Sequence, residues 1–439
     1  MKLSNLSLAC LLATTGLSAS HLANADTTDG FEFHGYFRAG VLFSVEDDLK
    51  RAKFPATKET LGRLGIESDN HYELALNKTF TLDNGQTIAI KTRAGADNHN
   101  TANNQLGSNV NSSDIGIMET FAEFGGITET GTIWGGKRFY GKDNYIFMTD
   151  FFYTDMSGTG AGIEGYEIGN VAWDFAYIAS DKSDDDGGRW GSNTNNTMHA
   201  VHVGANFGDF EIHTMAKYLP DNANYVGEDS NGDKVTSDDF AETGFEATGI
   251  LHLDSFLGLP GNGFSKVIGQ VGTGLGSGQL LGGTMTEYNA FKPGTSRGQG
   301  QSYITQVQDG DISARALVWG GYFLENGINI FPSVQTQYND FDDGGNDYWV
   351  SAMARPTFPV NDNFFIATEL GYQYSSSEDA DGSSDSANVG KITVSPTIVI
   401  NTGMGPAPEI RFLATYLTDS GTNNGDSDFI VGLQADMWW

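Results

Sequence analysis

Apolar and polar residues alternate along much of the chain, and a period of two predicts β-strands with one face on an apolar phase and the other on water. At the C-terminus, Phe429, Val431, Leu433, Ala435, Met437 and Trp439 share one face, while Asp428, Gly432, Gln434 and Asp436 share the other with Ile430 and Trp438. Near the start, Phe31, Phe33, Phe37, Val41 and Phe43 line up with Gly35 and Ala39, opposite Glu32, His34, Tyr36 and Arg38. The same contrast sets Val171, Trp173, Phe175 and Tyr177 against Asp174, and Ile88 and Ile90 against Lys91 and Arg93. It also sets Phe210, Ile212 and Tyr218 against Glu211, His213 and Lys217. Between these segments lie stretches rich in Gly, Asn, Asp and Ser, which read as turns and loops.

Soluble β-sandwiches alternate too, so the pattern alone leaves two all-β architectures open. The chain's ends favour a transmembrane antiparallel barrel. Lys2, an apolar stretch from Leu6 to Leu17 and the small-residue end Ala23-Asn24-Ala25 predict a secretory signal over residues 1–25, cleaved before Asp26. That stretch is too short to span a bilayer. A lipoprotein signal ending at Cys10 lacks an adequate apolar region before the cysteine. Residues 26–439 then form one barrel domain, since no linker divides them and no helical repeat of fixed period appears. A last strand ending on an aromatic residue resembles those of outer-membrane barrels, which implies assembly there.

Composition fits this architecture. The mean hydropathy is that of a soluble chain, as expected when lumen-facing and lipid-facing residues alternate. The 24 basic and 56 acidic residues give a net charge of -32, which argues against a nucleic-acid partner. Asp184-Asp185-Asp186, Asp238-Asp239 and Asp342-Asp343 read as solvated loops. Cys10 is the only cysteine, so the processed chain has neither a disulfide nor a thiolate metal site.

Motifs for catalysis or cofactors are weak. Gly160 to Gly165 matches the dinucleotide fingerprint by letters but lacks the strand-then-helix setting that positions a phosphate. The segment from Asp229 to Asp233 starts like a calcium loop, but Lys234 replaces its glycine and Phe240 its glutamate. His34, His71, His202 and His213 are scattered, and no Ser/His/Asp arrangement appears by motif. No cofactor, metal or enzyme activity is expected.

A wet pore lined by aromatic and charged groups suits carbohydrate, because pyranose rings pack an apolar face on aromatic rings while their hydroxyls exchange hydrogen bonds with charged side chains. Tyr36, Phe264 and Trp438 are the lumen-facing aromatic candidates, Phe264 sharing strand parity with Lys266 and Gln270. Arg38, Arg63, Glu73 and Asp150 are the polar candidates.

Three segments resemble the maltoporin family of carbohydrate porins. Phe33-His34-Gly35-Tyr36 with Arg38 is similar to its mature N-terminus. The run from Thr132 to Tyr140, continuing through Asp150 to the segment Ser157 to Glu164, resembles its inward-folded loop. Ile410 to Tyr416 with terminal Trp438-Trp439 resembles its end. The resemblance implies a barrel of about 18 strands, a homotrimer in the outer membrane of a Gram-negative bacterium, contact with outer-membrane lipid, and a third loop that constricts the pore. It also implies an aromatic path through Tyr36, Phe264 and Trp438 and an ionic track through Arg38, Arg63, Glu73 and Asp150, with Lys142 the candidate substitute for a track arginine.

The chain departs from the family at Phe152, where the constriction has tyrosine, at Gly405, where the path has tryptophan, and at His71, where it has another tyrosine. The loop from Asn98 to Asp114 holds no tryptophan to match one supplied by a neighbouring subunit, and Ser68 occupies a position of the family's loop disulfide. The expected function is passive diffusion of maltose, maltodextrins or related oligosaccharides, with Phe152 added to the substrate-contacting residues. A general cation-preferring diffusion porin is the alternative that the acidic balance suggests.

Overall fold

The computed structural model describes residues 30–52, 58–67, 70–97, 115–181, 197–219, 226–228, 234–236, 241–278, 281–282, 308–342, 344–400, 408–419 and 427–439. The predicted signal, Cys10, Ser68, Gly405, the loop from Asn98 to Asp114, the calcium-loop segment with Phe240, and all of the acidic runs except Asp342 lie outside them.

The first half of the chain supplies β1 (Phe31–Ser44), the single turn α1 (Lys58–Leu61), β2 (His71–Thr81), β3 (Thr87–Asp97), β4 (Gly116–Gly125), β5 (Thr132–Arg138), β6 (Tyr145–Ile146), β7 (Phe151–Phe152), β8 (Gly158–Ile168), β9 (Val171–Asp181), β10 (Thr197–Asn206) and β11 (Phe210–Tyr218). The second half supplies β12 (Val226–Glu228), β13 (Lys234–Thr236), β14 (Thr243–Leu253), β15 (Asn262–Gly274), β16 (Ile312–Phe323), β17 (Asn329–Asp340), β18 (Asn346–Asn361), β19 (Phe364–Glu378), β20 (Ser384–Val399), β21 (Glu409–Asp419) and β22 (Asp428–Trp438).

All but two small hairpins, β6–β7 and β12–β13, join one antiparallel sheet of 18 strands. Pairing of β1 with β22 closes it, with Tyr36 opposite Trp438 and Ser44 opposite Ile430. Closure leaves no open sheet edge, so the strand backbone satisfies itself where no water reaches it. The last residue takes part: Trp439 and Gly35 exchange backbone hydrogen bonds of 3.0 and 3.1 Å.

Strand parity follows the predicted pattern. On β1 and β22 the outward Phe33 and Leu433 are 52% and 48% exposed, whereas the inward Arg38 and Asp436 are 2% and 1% exposed. No helix among the described residues is long and apolar enough to cross a membrane; the strands do the crossing. The dinucleotide-like glycines lie in β8. Cβ atoms at Gly160 and Gly162 would meet the carbonyl oxygens of Tyr177 and Phe175 at 2.0 and 2.4 Å, so these glycines serve close contact with β9.

Short turns such as 82–86, 126–131 and 324–328 mark one end of the barrel, and the other end carries the longest connections, among them 45–70 and 139–157. Two of the latter fold inward and pack on the wall. In the first loop, Leu61, Leu64 and Ile66 meet Leu42, Leu413 and Ile430 in one cluster. In the third loop, between β5 and β8, Ile146, Met148, Phe151 and Tyr153 meet Ile268, Leu317 and Phe331 in another. Irregular backbone at this depth is tolerated because protein surrounds it.

Candidate functional site

Register across the closure seam sets the site. Tyr36 of β1 stands opposite Trp438 of β22 on one side and Glu73 of β2 on the other. Arg38, one inward position further along, stands opposite Asp436 and His71. Three adjacent strands thus present two aromatic rings and four polar side chains on one stretch of the inner wall. Trp438 also packs on the apolar cluster beneath the first loop, which fixes its ring.

The two inward loops complete an ionic network here. Arg38 donates to the Tyr36 hydroxyl at 3.0 Å and pairs with Glu67 at 3.2 Å and Asp150 at 3.6 Å. Arg63, from the first loop, binds Asp436 at 2.7 Å and Glu67 at 3.5 Å, and lies 3.7 Å from Asp150. Lys58 approaches Glu67 at 2.9 Å and Asp150 at 3.7 Å. Behind them Arg411 holds Asp436 at 2.8 Å. The loops are joined directly, the Arg63 amide donating to the Met148 carbonyl at 2.8 Å. Burial alone would raise the Glu67 carboxyl's pKa, but Arg38, Lys58 and Arg63 outweigh it and hold the group well below the usual carboxylate range.

Asp150 is the network's most open acid. Its side chain is 21% exposed against 1% for Glu67, and its backbone is left-handed, with φ at 58°. Aspartate tolerates that conformation better than most residues, and the turn it closes is fixed by its amide donating to the Ile146 carbonyl at 2.9 Å. The carboxylate therefore points at Arg38, Lys58 and Arg63 while keeping lone pairs for a ligand hydroxyl.

The other predicted residues are distributed differently. Glu73 lies beside Tyr36 by register, but its charge is taken up by Arg93 and by His71 at 2.8 Å. Arg93 continues to Glu119 at 2.5 Å, so this ion chain runs away from Asp150. The His71 ring sits 5.8 Å from that of Tyr36. Phe152 stacks on Tyr145 at 5.2 Å under the Lys142 ammonium, which is 4.6 Å from the Phe152 ring and 3.4 Å from Asp155. Phe264 is far from Tyr36 along the wall, since β16 to β21 separate β15 from β22.

Sequence reasoning missed Lys58, Glu67 and Arg411, and used Asp436 only as a marker of the wet face. Asp436 shares that face with Trp438, which was a legible signal. Lys58 and Glu67 carried none, because their place depends on a loop turning inward. Two scattered histidines also meet: His202 Nε2 lies 3.2 Å from His213 Nδ1. Among the described residues no group of three or more potential ligands is arranged to hold a metal ion.

Comparison with known proteins gives a consistent result. The family model described as LamB porin matches residues 31–439. Maltoporin of Vibrio cholerae serotype O1 (El Tor Inaba N16961) is 26% identical over 436 residues, covering 93% of this chain and 94% of the relative. Maltoporin of Hahella chejuensis is 26% identical, covering 98% and 96%. Among solved structures, Acinetobacter baumannii OccAB2 is similar with a TM-score of 0.48 at 9% identity, covering 93% of this chain and 98% of that one.

Proposed function

The chain belongs to the LamB porin family, and we propose that this sugar-selective outer-membrane porin passes maltose, maltodextrins or related oligosaccharides by passive diffusion. Tyr36 and Trp438 form the apolar rail on which pyranose rings slide; Arg38, Arg63 and Asp150 exchange hydrogen bonds with the hydroxyls. Phe152 narrows the passage from the third loop, Phe264 extends the apolar contact on the far wall, and Glu73 orients His71 and Arg93 beside the rail. The observation that carries this is the side-by-side placement of Trp438 and Tyr36 with the network that leaves Asp150 open to the lumen.

The chemistry suits transport better than capture. Stacking on an aromatic ring contributes roughly 0.5–1.5 kcal/mol, and several such contacts in series let a sugar enter and leave where one deep site would hold it. A homotrimer whose outward faces meet outer-membrane lipid, as the sequence resemblance implies, is part of the proposal and is checked by heat-modifiable migration of the purified protein.

The test is ion current across planar bilayers with maltodextrin titrated in. Saturable block that strengthens with sugar concentration is expected. Absence of block by any oligosaccharide, with a reversal potential favouring cations, would leave a general diffusion porin as the acidic balance of 56 to 24 suggests.

A further inference from the structure

A second aromatic surface lines the wall formed by β15, β16 and β17, well away from Tyr36 and Trp438. Phe264 meets Trp319 edge-to-face at 5.4 Å and Phe323 at 6.3 Å. Phe147, from the third loop, meets Phe331 edge-to-face at 5.0 Å and Trp319 at 6.4 Å, and Phe323 meets Phe331 at 5.9 Å. The five rings fall into two layers. Trp319 and Phe331 are 4% and 2% exposed and form a floor; Phe147, Phe264 and Phe323 are half-buried upon it.

The upper layer faces the lumen. Phe264 shares inward parity with Gln270, and Phe323 with Trp319, whose neighbours across the ladder are also inward. Gly321, opposite Phe264 in register, leaves the space in which the two rings meet. A Cβ there would stand 2.9 Å from Phe264 Cε1 and 2.8 Å from Phe323 Cζ. Phe323 ends β16 at the short-turn mouth, while Phe147 reaches into the constriction, its neighbour Met148 held by Arg63 and by Arg355 at 3.1 Å. Lys266, two residues along β15 from Phe264 and opposite Trp319 in register, edges the strip with a hydrogen-bond donor.

Resting on the sugar-channel function proposed above, we infer that Phe147 and Phe323 join Phe264 in a second apolar strip that binds pyranose rings of neutral oligosaccharides between the third loop and the short-turn mouth. Half-buried rings above a rigid aromatic floor, with the Arg355 guanidinium 5.4 Å from the Phe147 ring centroid and the Lys266 ammonium at the edge, match the apolar face and rim hydroxyls of a pyranose.

Maltohexaose block of the full-length porin in planar bilayers tests this, comparing wild type with a Phe147→Ala/Phe323→Ala double variant. Loss of two stacking platforms is expected to weaken the binding constant about 5- to 140-fold, and Phe323→Trp alone is expected to retain wild-type binding. Where the double variant fails to assemble as a heat-modifiable barrel, Phe323→Leu keeps apolar bulk without a ring, and about a 3-fold loss is expected. Blocked wild type with unchanged affinity in these variants overturns the strip and leaves the Tyr36–Trp438 rail standing. A wild type that no oligosaccharide blocks removes both.

Discussion

Two ionic clusters inside the barrel use the same residue types for different ends. Around Glu369, Lys391 and Arg355 approach the carboxylate at 2.5 Å each, and neither Glu369 nor Lys391 has any exposed side-chain surface. Their remaining bonds go to loop backbone: Leu64 N donates to Glu369 at 3.0 Å, and Lys391 donates to the carbonyls of Gly62 and Leu64. Around Asp150 the contacts are longer, 3.6 to 3.7 Å, and the acid faces the lumen. The first cluster fastens the loops to the wall, and the second is presented by them. Of the two carboxylates at the cluster centres, Asp150 is the one that solvent reaches, at 21% against 0% for Glu369, so it is the one placed to meet a ligand.

Glu369→Ala should separate the two most strongly. It strands Lys391 and Arg355 without an anion, and breaking a buried pair this way costs roughly 3–5 kcal/mol. The variant is expected to release the first loop, with lower thermal stability and larger, noisier single-channel conductance.

At the open cluster the effect should fall on sugar rather than on stability. Tyr36→Ala removes a stacking platform and the Arg38 partner, for an expected loss of about 10-fold in maltodextrin binding, read from current block. Asp150→Asn keeps the shape but removes the charge, and about a 5-fold loss is expected with thermal stability near wild type. Equal destabilisation by Asp150→Asn and Glu369→Ala would erase the distinction.

Acid titration sharpens the comparison from another side. Glu67 is held below its unfolded value, so its stabilising contribution is complete above about pH 4.3, the ordinary glutamate pKa, and is lost progressively as pH falls from there through the lower folded value. The first loop is thus expected to stay fastened, with single-channel noise unchanged, from neutrality down to about pH 4.3. Glu67→Gln should show the loosened loop already at neutral pH. The smallest effect is expected at Phe152→Tyr, where an added hydroxyl beside Lys142 supplies one ligand hydrogen bond and strengthens sugar block about 2-fold.

Much of the fold was legible because a strand's period of two is written into the residues that face lipid and lumen. Phe33 against Arg38, and Leu433 against Asp436, needed no tertiary knowledge, whereas the register of Tyr36 with Trp438 did, because closure alone leaves the strand stagger open. The inward loops were not legible from periodicity. Leu61, Leu64 and Ile66 form no alternating pattern, and Lys58 and Glu67 look like any solvated pair until the first loop packs on Leu413 and Ile430. Gly62 and Gly65 record that packing, since a Cβ at either would meet Glu369 Oε1 at 2.4 Å or Thr415 Oγ1 at 1.9 Å. As single letters they show nothing. The histidine contact was hidden for a related reason, since strand register, not sequence spacing, brings His202 to His213.

A crystal structure of the porin soaked with maltohexaose tests the placement of the sugar path most directly. Pyranose rings stacked on Tyr36 and Trp438, with hydroxyls in hydrogen-bond reach of Arg38 or Asp150, are predicted. Saccharide ordered in the lumen with both of those rings left bare would contradict it.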